Sequence, residues 1–553
     1  MRAARTCLLL VVALVAHGAL DAHAERKTVC TITINSSNEK EAFQRSLPPD
    51  RYQFVELVQK DNPRWLSDAC RQNVQCDVLV ISGHHDVEQG FFSDNVQVGE
   101  FLSIDAMEHA SCSNACSGIF SRVKEVYLFG CNTLNPHSLP IDTAELARSF
   151  VHEGRTPADA ERLARALAAR HDDNNRDRVR RIFKDVPVIY GFSAVAPLGP
   201  SAATLLAQHF QLDGTASVAT GRTSASLVER FSAHGMVAVS GVHSGDAIDA
   251  FRGDVCEFAD DRTSPAERLG FVQKLLDRNG AEARLFLDRL EKVANSLPPD
   301  AERTTDLAAA LDNIVHDAKA RARFLDFARD ADDLTVRSRM FAVAQKLDWL
   351  TVEEQQAELV RMIDERMLPL PATPRDVNLA CSLNRDEALS LMEEHWWAAP
   401  RPIDDVAHAA IRACLGSLDD RPRVLQALTS PRDDEGQIAQ VYLVYRPIID
   451  ARELREVVAG IASMSATPAK IRALETLSHQ SVSDPVALEA LAEAFPAAES
   501  VGVQVAIAGV LLRAHYPEED KPELIQTLRQ YRRRSGSGED LIDVLIRRLE
   551  RSQ

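Results

Sequence analysis

The stretch CDVLVISGHHDVEQGFF, Cys76 to Phe92, sets an apolar run directly against Ser82, Gly83, His84 and His85. An uninterrupted apolar run leaves no face for water, so "DVLVIS" (Asp77 to Ser82) predicts a strand covered on both sides. The small and polar residues that follow then mark the strand's carboxyl end. Working outward, comparable runs stand at Thr28 to Ile34 (TVCTITI), Tyr52 to Val58 (YQFVELV), Glu125 to Gly130 (EVYLFG), Val186 to Phe192 (VPVIYGF) and Met236 to Gly241 (MVAVSG). Amphipathic helices fit between them, around Asn38 to Arg45, Ser103 to Ala110, Thr143 to Arg170 and Ala203 to Leu212. Strands alternating with helices predict a largely parallel α/β sheet sandwich over residues 25–250.

From about Ser264 the strand signal ends. Helical spacing dominates, as in VRSRMFAVAQKL (Val336 to Leu347), AKIRALETLSH (Ala469 to His479) and VGVQVAIAGVLLRAH (Val501 to His515). Proline-bearing breaks at Ser296 to Asp300, Leu368 to Asp376 and Ala399 to Asp405 must end helices. The stretches at Ala469 and Val501 each lead into a second amphipathic helix, and their offset of about 32 residues suits helical-repeat units. Residues 251–553 are therefore expected to form a HEAT-like α-solenoid or an irregular helical bundle, a kind of array that binds protein partners on a concave face. At 553 residues the chain is too long for one hydrophobic core.

The formal charge of −18 argues against nucleic acid as a partner, because phosphate binding needs lysine and arginine in excess. The N-terminus carries Arg2 and Arg5, an apolar run from Cys7 to Val15 and the small-x-small site Ala22-His23-Ala24. It reads as a signal peptide, residues 1–24, of an exported periplasmic or secreted protein. No later run is long enough to predict an integral membrane segment. Nine cysteines follow Cys7, an odd number in a compartment that permits disulfides, so at least one thiol lacks a partner. Cys70 with Cys76, or Cys112 with Cys116, are close enough in sequence to bridge locally.

His84 ends one predicted strand and Cys131 ends another (KEVYLFGCNTL), 47 residues later. The carboxyl edge of an open parallel sheet is where such folds bind ligands. A cysteine beside a histidine is a nucleophile beside its base, since the thiolate is the reactive form. Leaving Cys131 unpaired also accounts for the odd count.

On these residues, VLVISGHH and VYLFGC with Gly130 as the small residue and Thr133 two positions after the cysteine, residues 27–245 resemble the caspase-like cysteine peptidases, which include caspases, legumains, gingipains and CHAT domains. VPVIYGFSAVAPLGPSAA, Val186 to Ala203, is similar to the strand and helix start that follow the dyad in that family. The resemblance implies a caspase-hemoglobinase fold, a His84–Cys131 dyad, a protein or peptide substrate, and backbone N–H groups of His85 and Cys131 binding the oxyanion. The chain departs from the family at residue 85, where glycine is usual. Two functions stay open: an exported endopeptidase whose helical domain engages protein, and a catalytically silent caspase-like scaffold for protein–protein interaction.

No cofactor or metal is expected. HASCSNAC (His109 to Cys116) could give three zinc ligands at non-standard spacing, so a disulfide or packed cysteines are favoured there. DDNNRDR (Asp172 to Arg178) begins like a calcium loop, but Arg178 stands at the glycine position and Lys184 at the closing glutamate, so a solvated loop or partner-facing segment is expected. His234 precedes a strand instead of ending one and is set below His84. The Trp396-Trp397 pair is either core or an exposed anchor.

Overall fold

The computed structural model describes residues 26–553 apart from 87–88, 95–99, 114–115, 138–142, 153, 171–173, 247, 279, 368–369, 387–388, 390–404, 466, 481, 515, 517–520, 534–539 and 552–553. The expected signal peptide and the Trp396-Trp397 pair lie outside the described residues. The chain forms two compact units, the first ending at Phe327 and the second beginning at Ala328.

In the first unit, six strands form one sheet in the order β2-β1-β3-β7-β8-β9. They are β1 (Lys27–Thr33), β2 (Tyr52–Glu56), β3 (Val78–Ser82), β7 (Glu125–Phe129), β8 (Val188–Phe192) and β9 (Met236–Val239). All neighbours run parallel except β9, which is antiparallel to β8. Three short strands, β4 (His84–Asp86), β5 (Gly90–Phe92) and β6 (Leu102–Ser103), make a separate antiparallel sheet directly after β3.

Strand alternation divides the apolar runs between two cores. Cys30, Ile32, Leu79, Ile81, Val126, Leu128 and Ile189 meet the helices Trp65–Arg71, Ile104–Cys112, Ser117–Phe120 and Asn175–Ile182. Val29, Val78, Val80, Tyr127, Phe129, Val188 and Tyr190 pack on the other side, under Asn38–Ser46, Gly199–Asp213 and Ala225–Arg230. Every residue of β3, β7 and β8 is buried. Each large apolar side chain so buried contributes about 1.5–3 kcal/mol, and the six-strand sheet is held from both faces. Glu125 is the charged exception within β7. Its carboxylate accepts from the Tyr127 hydroxyl at 2.8 Å and from the backbone N–H groups of Thr220 and Gly221 at 2.8 and 3.1 Å, which makes its burial tolerable.

The helix expected over Thr143 to Arg170 is two, Thr143–His152 and Pro157–Arg170. Gly154 takes a left-handed φ of 87°, Thr156 Oγ1 caps the second helix through Asp159 N–H, and Pro157 starts it. Helices from Asp249 to the end of the first unit belong with the sheet. Cys256 is disulfide-bonded to Cys112, Arg252 donates to the Arg181 carbonyl at 2.9 Å, and Arg289 pairs with the buried Glu108 at 2.7 Å. The change from strands to helices and the boundary between compact units are thus different places in the chain.

All eight other cysteines after Cys7 are paired: Cys30–Cys76, Cys70–Cys116, Cys112–Cys256 and Cys381–Cys414. The local bridges Cys70–Cys76 and Cys112–Cys116 do not form. Cys30 on β1 and Cys76 just ahead of β3 sit on adjacent strands, while Cys70 on its helix meets Cys116 at the start of the helix opposite. With Cys112 and Cys116 both in disulfides, the zinc alternative loses two of its three ligands.

Among the described residues, the regular elements of the second unit are all helices. Helices pack on the next but one, as Ala451–Ser463 does on Pro485–Ala497 and Thr467–Ser478 on Val501–Arg513. Bidentate ion pairs join neighbouring layers. Arg421 grips Glu453 at 2.8 and 2.9 Å, and Arg455 grips Asp484 at 2.9 and 2.7 Å, over separations of 32 and 29 residues. These separations lie close to the offset of about 32 residues between the apolar stretches at Ala469 and Val501. Proline behaves as the breaks require: Pro374 opens a helix behind a Thr373/Asp376 capping box. No described helix is long and apolar enough to cross a membrane.

Candidate active site at the sheet edge

β3 and β7 pair in parallel with Ser82 opposite Phe129, and Gly83 N–H continues the ladder to the Phe129 carbonyl at 3.1 Å. The next residues along each chain are His84 and Cys131. Both sequence-predicted site residues therefore leave the carboxyl ends of adjacent strands.

Gly130 explains why a small residue must precede the cysteine. A Cβ built there would lie 2.7 Å from His85 Cβ, 2.9 Å from the Phe91 ring and 3.1 Å from the Gly83 carbonyl oxygen. The backbone on either side of His84 therefore packs directly against the backbone that precedes Cys131. Beyond the cysteine the chain turns sharply. Asn132 adopts φ 57°, a conformation that asparagine tolerates better than most residues, and its N–H reaches the Ala194 carbonyl at 2.9 Å. Its own carbonyl accepts from Asn175 Nδ2 at 2.8 Å. Thr133, fully buried, accepts from Phe192 N–H at 3.0 Å and donates to the Gly130 carbonyl at 3.3 Å. Gly191 leaves the space for it, since a Cβ there would come within 2.7 Å of Thr133 Oγ1. The turn that carries Cys131 is thus fixed to β8 and to the helix at Asn175.

Asn132, Asn175 and the packing role of Thr133 escape a sequence reading. The only local signal is an asparagine directly after a strand-end cysteine. The expectation for Asp172 to Arg178 also changes: 171–173 are outside the described residues, but Asn174 caps the helix Asn175–Ile182 through Asp177 N–H at 2.8 Å, and Asn174, Asn175 and Asp177 are buried. From Asn174 onward the segment is a capped helix start supporting the Cys131 turn, not a solvated loop. Because β9 runs antiparallel, its first residue, Met236, pairs with Phe192, so His234 lies at the same edge as the carboxyl ends of the other strands. It stands two strand positions from β7, about 10 Å by strand spacing, whereas β3, which leads into His84, is the strand next to β7.

The two consecutive histidines have opposite environments. His84 is part-exposed, and its Nε2 faces Asp94 Oδ2 at 3.4 Å. Asp94 is itself well exposed, so this contact orients the imidazole more than it stabilises the fold. Its Nδ1 has no hydrogen-bond partner among the described residues, and in this structure no hydrogen bond joins His84 to the Cys131 sulfur. Cys131 is half-buried and is the one free cysteine among the described residues.

His85 is only 8% exposed, packs on Phe91 with ring centroids 4.9 Å apart, and turns its Nδ1 to the Cys131 carbonyl at 3.0 Å. The carbonyl can only accept, so Nδ1 carries the proton and Nε2 is left bare. Nε2 is buried without a partner. Burial pushes the His85 pKa down to about 4, against the opposing effect of the hydrogen bond to Cys131. His85 is therefore a neutral imidazole that holds the Cys131 backbone through its carbonyl. Its backbone is in a strand and is not among the residues with positive φ, so nothing in its conformation demands the glycine that the resembling family uses there.

The arrangement supplies a free thiol and a part-exposed imidazole at one sheet edge, on backbone held by packing and hydrogen bonds. No family model matches the chain, and no curated protein or solved structure is similar enough to it to count as a match.

Proposed function

We propose that the chain is an exported caspase-like cysteine endopeptidase with Cys131 as nucleophile and His84 as its acid–base partner. The observation that carries this reading is the pairing pattern of the cysteines: eight close four disulfides, and the one left free stands at a strand end adjacent to the strand that delivers His84. Asp94 at Nε2 leaves Nδ1 to receive the thiol proton. The Cys131 thiolate adds to the scissile carbonyl carbon, and the C–N bond breaks as His84 returns a proton to the leaving amine. Water, deprotonated by His84, then hydrolyses the thioester and frees the thiol. The backbone N–H groups of His85 and Cys131 are the proposed oxyanion donors. The helical unit presents or selects the protein substrate.

A defined peptide library tests this. Wild-type protein is expected to cleave a subset of peptides, Cys131→Ala to abolish cleavage, and His84→Ala to slow it by about 100-fold or more. Equal cleavage by wild type and Cys131→Ala overturns the reading. The alternative, a catalytically silent scaffold, draws on a specific observation: His84 turns to Asp94 and makes no hydrogen bond to the Cys131 sulfur. Apo catalytic hydrogen bonds often tighten only with substrate bound, so this geometry does not count against the peptidase.

A further inference from the structure

A cavity of about 850 Å³ lies in the helical unit between the helices Pro485–Ala497 and Lys521–Tyr531. Leu488 contributes to an apolar wall, and Tyr516 and Tyr531 add aromatic surface. Glu489 and Glu493, one turn apart on the first helix, and Glu523 on the second bring three carboxylates to the same space. None of the three makes an ion pair or hydrogen bond among the described residues. Nearby carboxylates are claimed by arginines: Asp484 by Arg455, Asp543 by Arg532 and Glu550 by Arg529. The Tyr516 hydroxyl is buried at its oxygen and has no hydrogen-bond partner among the described residues.

We propose that this cavity takes the arginine or lysine side chains of an extended basic segment of a partner protein. The apolar wall suits the methylene stems of such side chains, which bury readily while their heads stay polar. The tyrosine rings suit the cation by the attraction of their faces for positive charge. The unpartnered Tyr516 oxygen is an acceptor awaiting an N–H donor, and the three glutamates balance more than one positive charge. The cavity is larger than a single cationic side chain needs, which favours a peptide over a small amine. The chain's formal charge of −18 steers a basic partner toward it. This inference rests on the helical unit being a binding surface and not on the chemistry of Cys131.

The test uses the full chain carrying Cys131→Ala, so that no peptide is cut and a failure here leaves the peptidase reading untouched. A fluorescein-labelled octapeptide of alternating leucine and arginine is titrated by anisotropy, with a leucine–glutamine octapeptide as control. Saturable binding of the arginine peptide is expected, at least tenfold tighter than the control. Glu489→Gln/Glu493→Gln/Glu523→Gln should weaken it at least tenfold with an unchanged thermal midpoint. Glu353→Gln/Glu456→Gln/Glu475→Gln, the same charge change away from the cavity, should leave it within twofold. No saturable binding, or equal weakening by both triple variants, overturns the proposal. So does displacement of the peptide by free arginine methyl ester at comparable concentrations, which would make this a site for a small cation.

Discussion

The two compact units solve the problem of holding backbone in place by different means, and the difference shows where each can host function. The first unit buries its sheet between two apolar cores and closes three disulfides around it, so the ends of β3 and β7 meet with almost no slack at Gly83, Gly130 and His85. Chemistry needs such a rigid edge. The second unit stacks helices layer on layer and joins them by arginine–carboxylate pairs, with one disulfide among its described residues. A layered array of this kind leaves long surfaces between helices, which suit recognition.

Removing covalent closure breaks that comparison most strongly. The Cys112–Cys256 bridge spans 144 residues and the Cys381–Cys414 bridge 33. By loop-closure entropy, Cys112→Ser/Cys256→Ser should cost about 5 kcal/mol and Cys381→Ser/Cys414→Ser about 3.5 kcal/mol. Urea titration followed by circular dichroism reads both. Equal losses would mean that loop length is not what these bridges supply.

The next effect comes from His85. Between pH about 4 and 6.5 the unfolded chain binds a proton at this residue and the folded chain does not, so stability falls as pH falls through that window and is fully present above it. The contribution at stake is about 3 kcal/mol, from 1.36 kcal/mol per pKa unit. His85→Gln, which retains a side-chain N–H for the Cys131 carbonyl, should flatten the urea midpoint across this window relative to wild type. An unchanged pH slope in the variant would place the titrating group elsewhere.

Gly130→Ala should cost about 2 kcal/mol, because its methyl would have to displace His85 Cβ and the Phe91 ring. Its cost to the reactivity of Cys131 should exceed its cost to stability, since the turn that aims the thiol must shift. A variant that is destabilised yet labels at the wild-type rate would separate the packing at Gly130 from the site.

Much of this was legible in the sequence. The apolar runs found all six strands of the main sheet, because a strand buried on both faces writes itself as continuous hydrophobicity. The odd cysteine count pointed to a free thiol before any partner was known. Cysteine pairing was not legible, since it depends on which helix packs on which face, as with Cys70 and Cys116. Nor was the orientation of β9, because a short apolar run reads the same in either direction, so the edge at which His234 precedes its strand was not legible either. The break at Gly154 had its signals in Gly154, Thr156 and Pro157, but the helical periodicity on either side masked it. The inward turn of His85 follows from the pairing of β4 with β5, opposite Phe91, which no local pattern announces.

The rate of Cys131 alkylation by iodoacetamide tests the central claim most directly. It is measured on the native full chain at pH 6 by mass spectrometry of the peptide that contains Cys131, in wild type and in His84→Ala. Activation by His84 predicts a wild-type rate at least tenfold above that of an unstructured peptide thiol, falling to the peptide value in the variant. A wild-type rate no faster than the peptide's, or one unaffected by loss of the imidazole, would contradict it and leave the sheet edge as a scaffold.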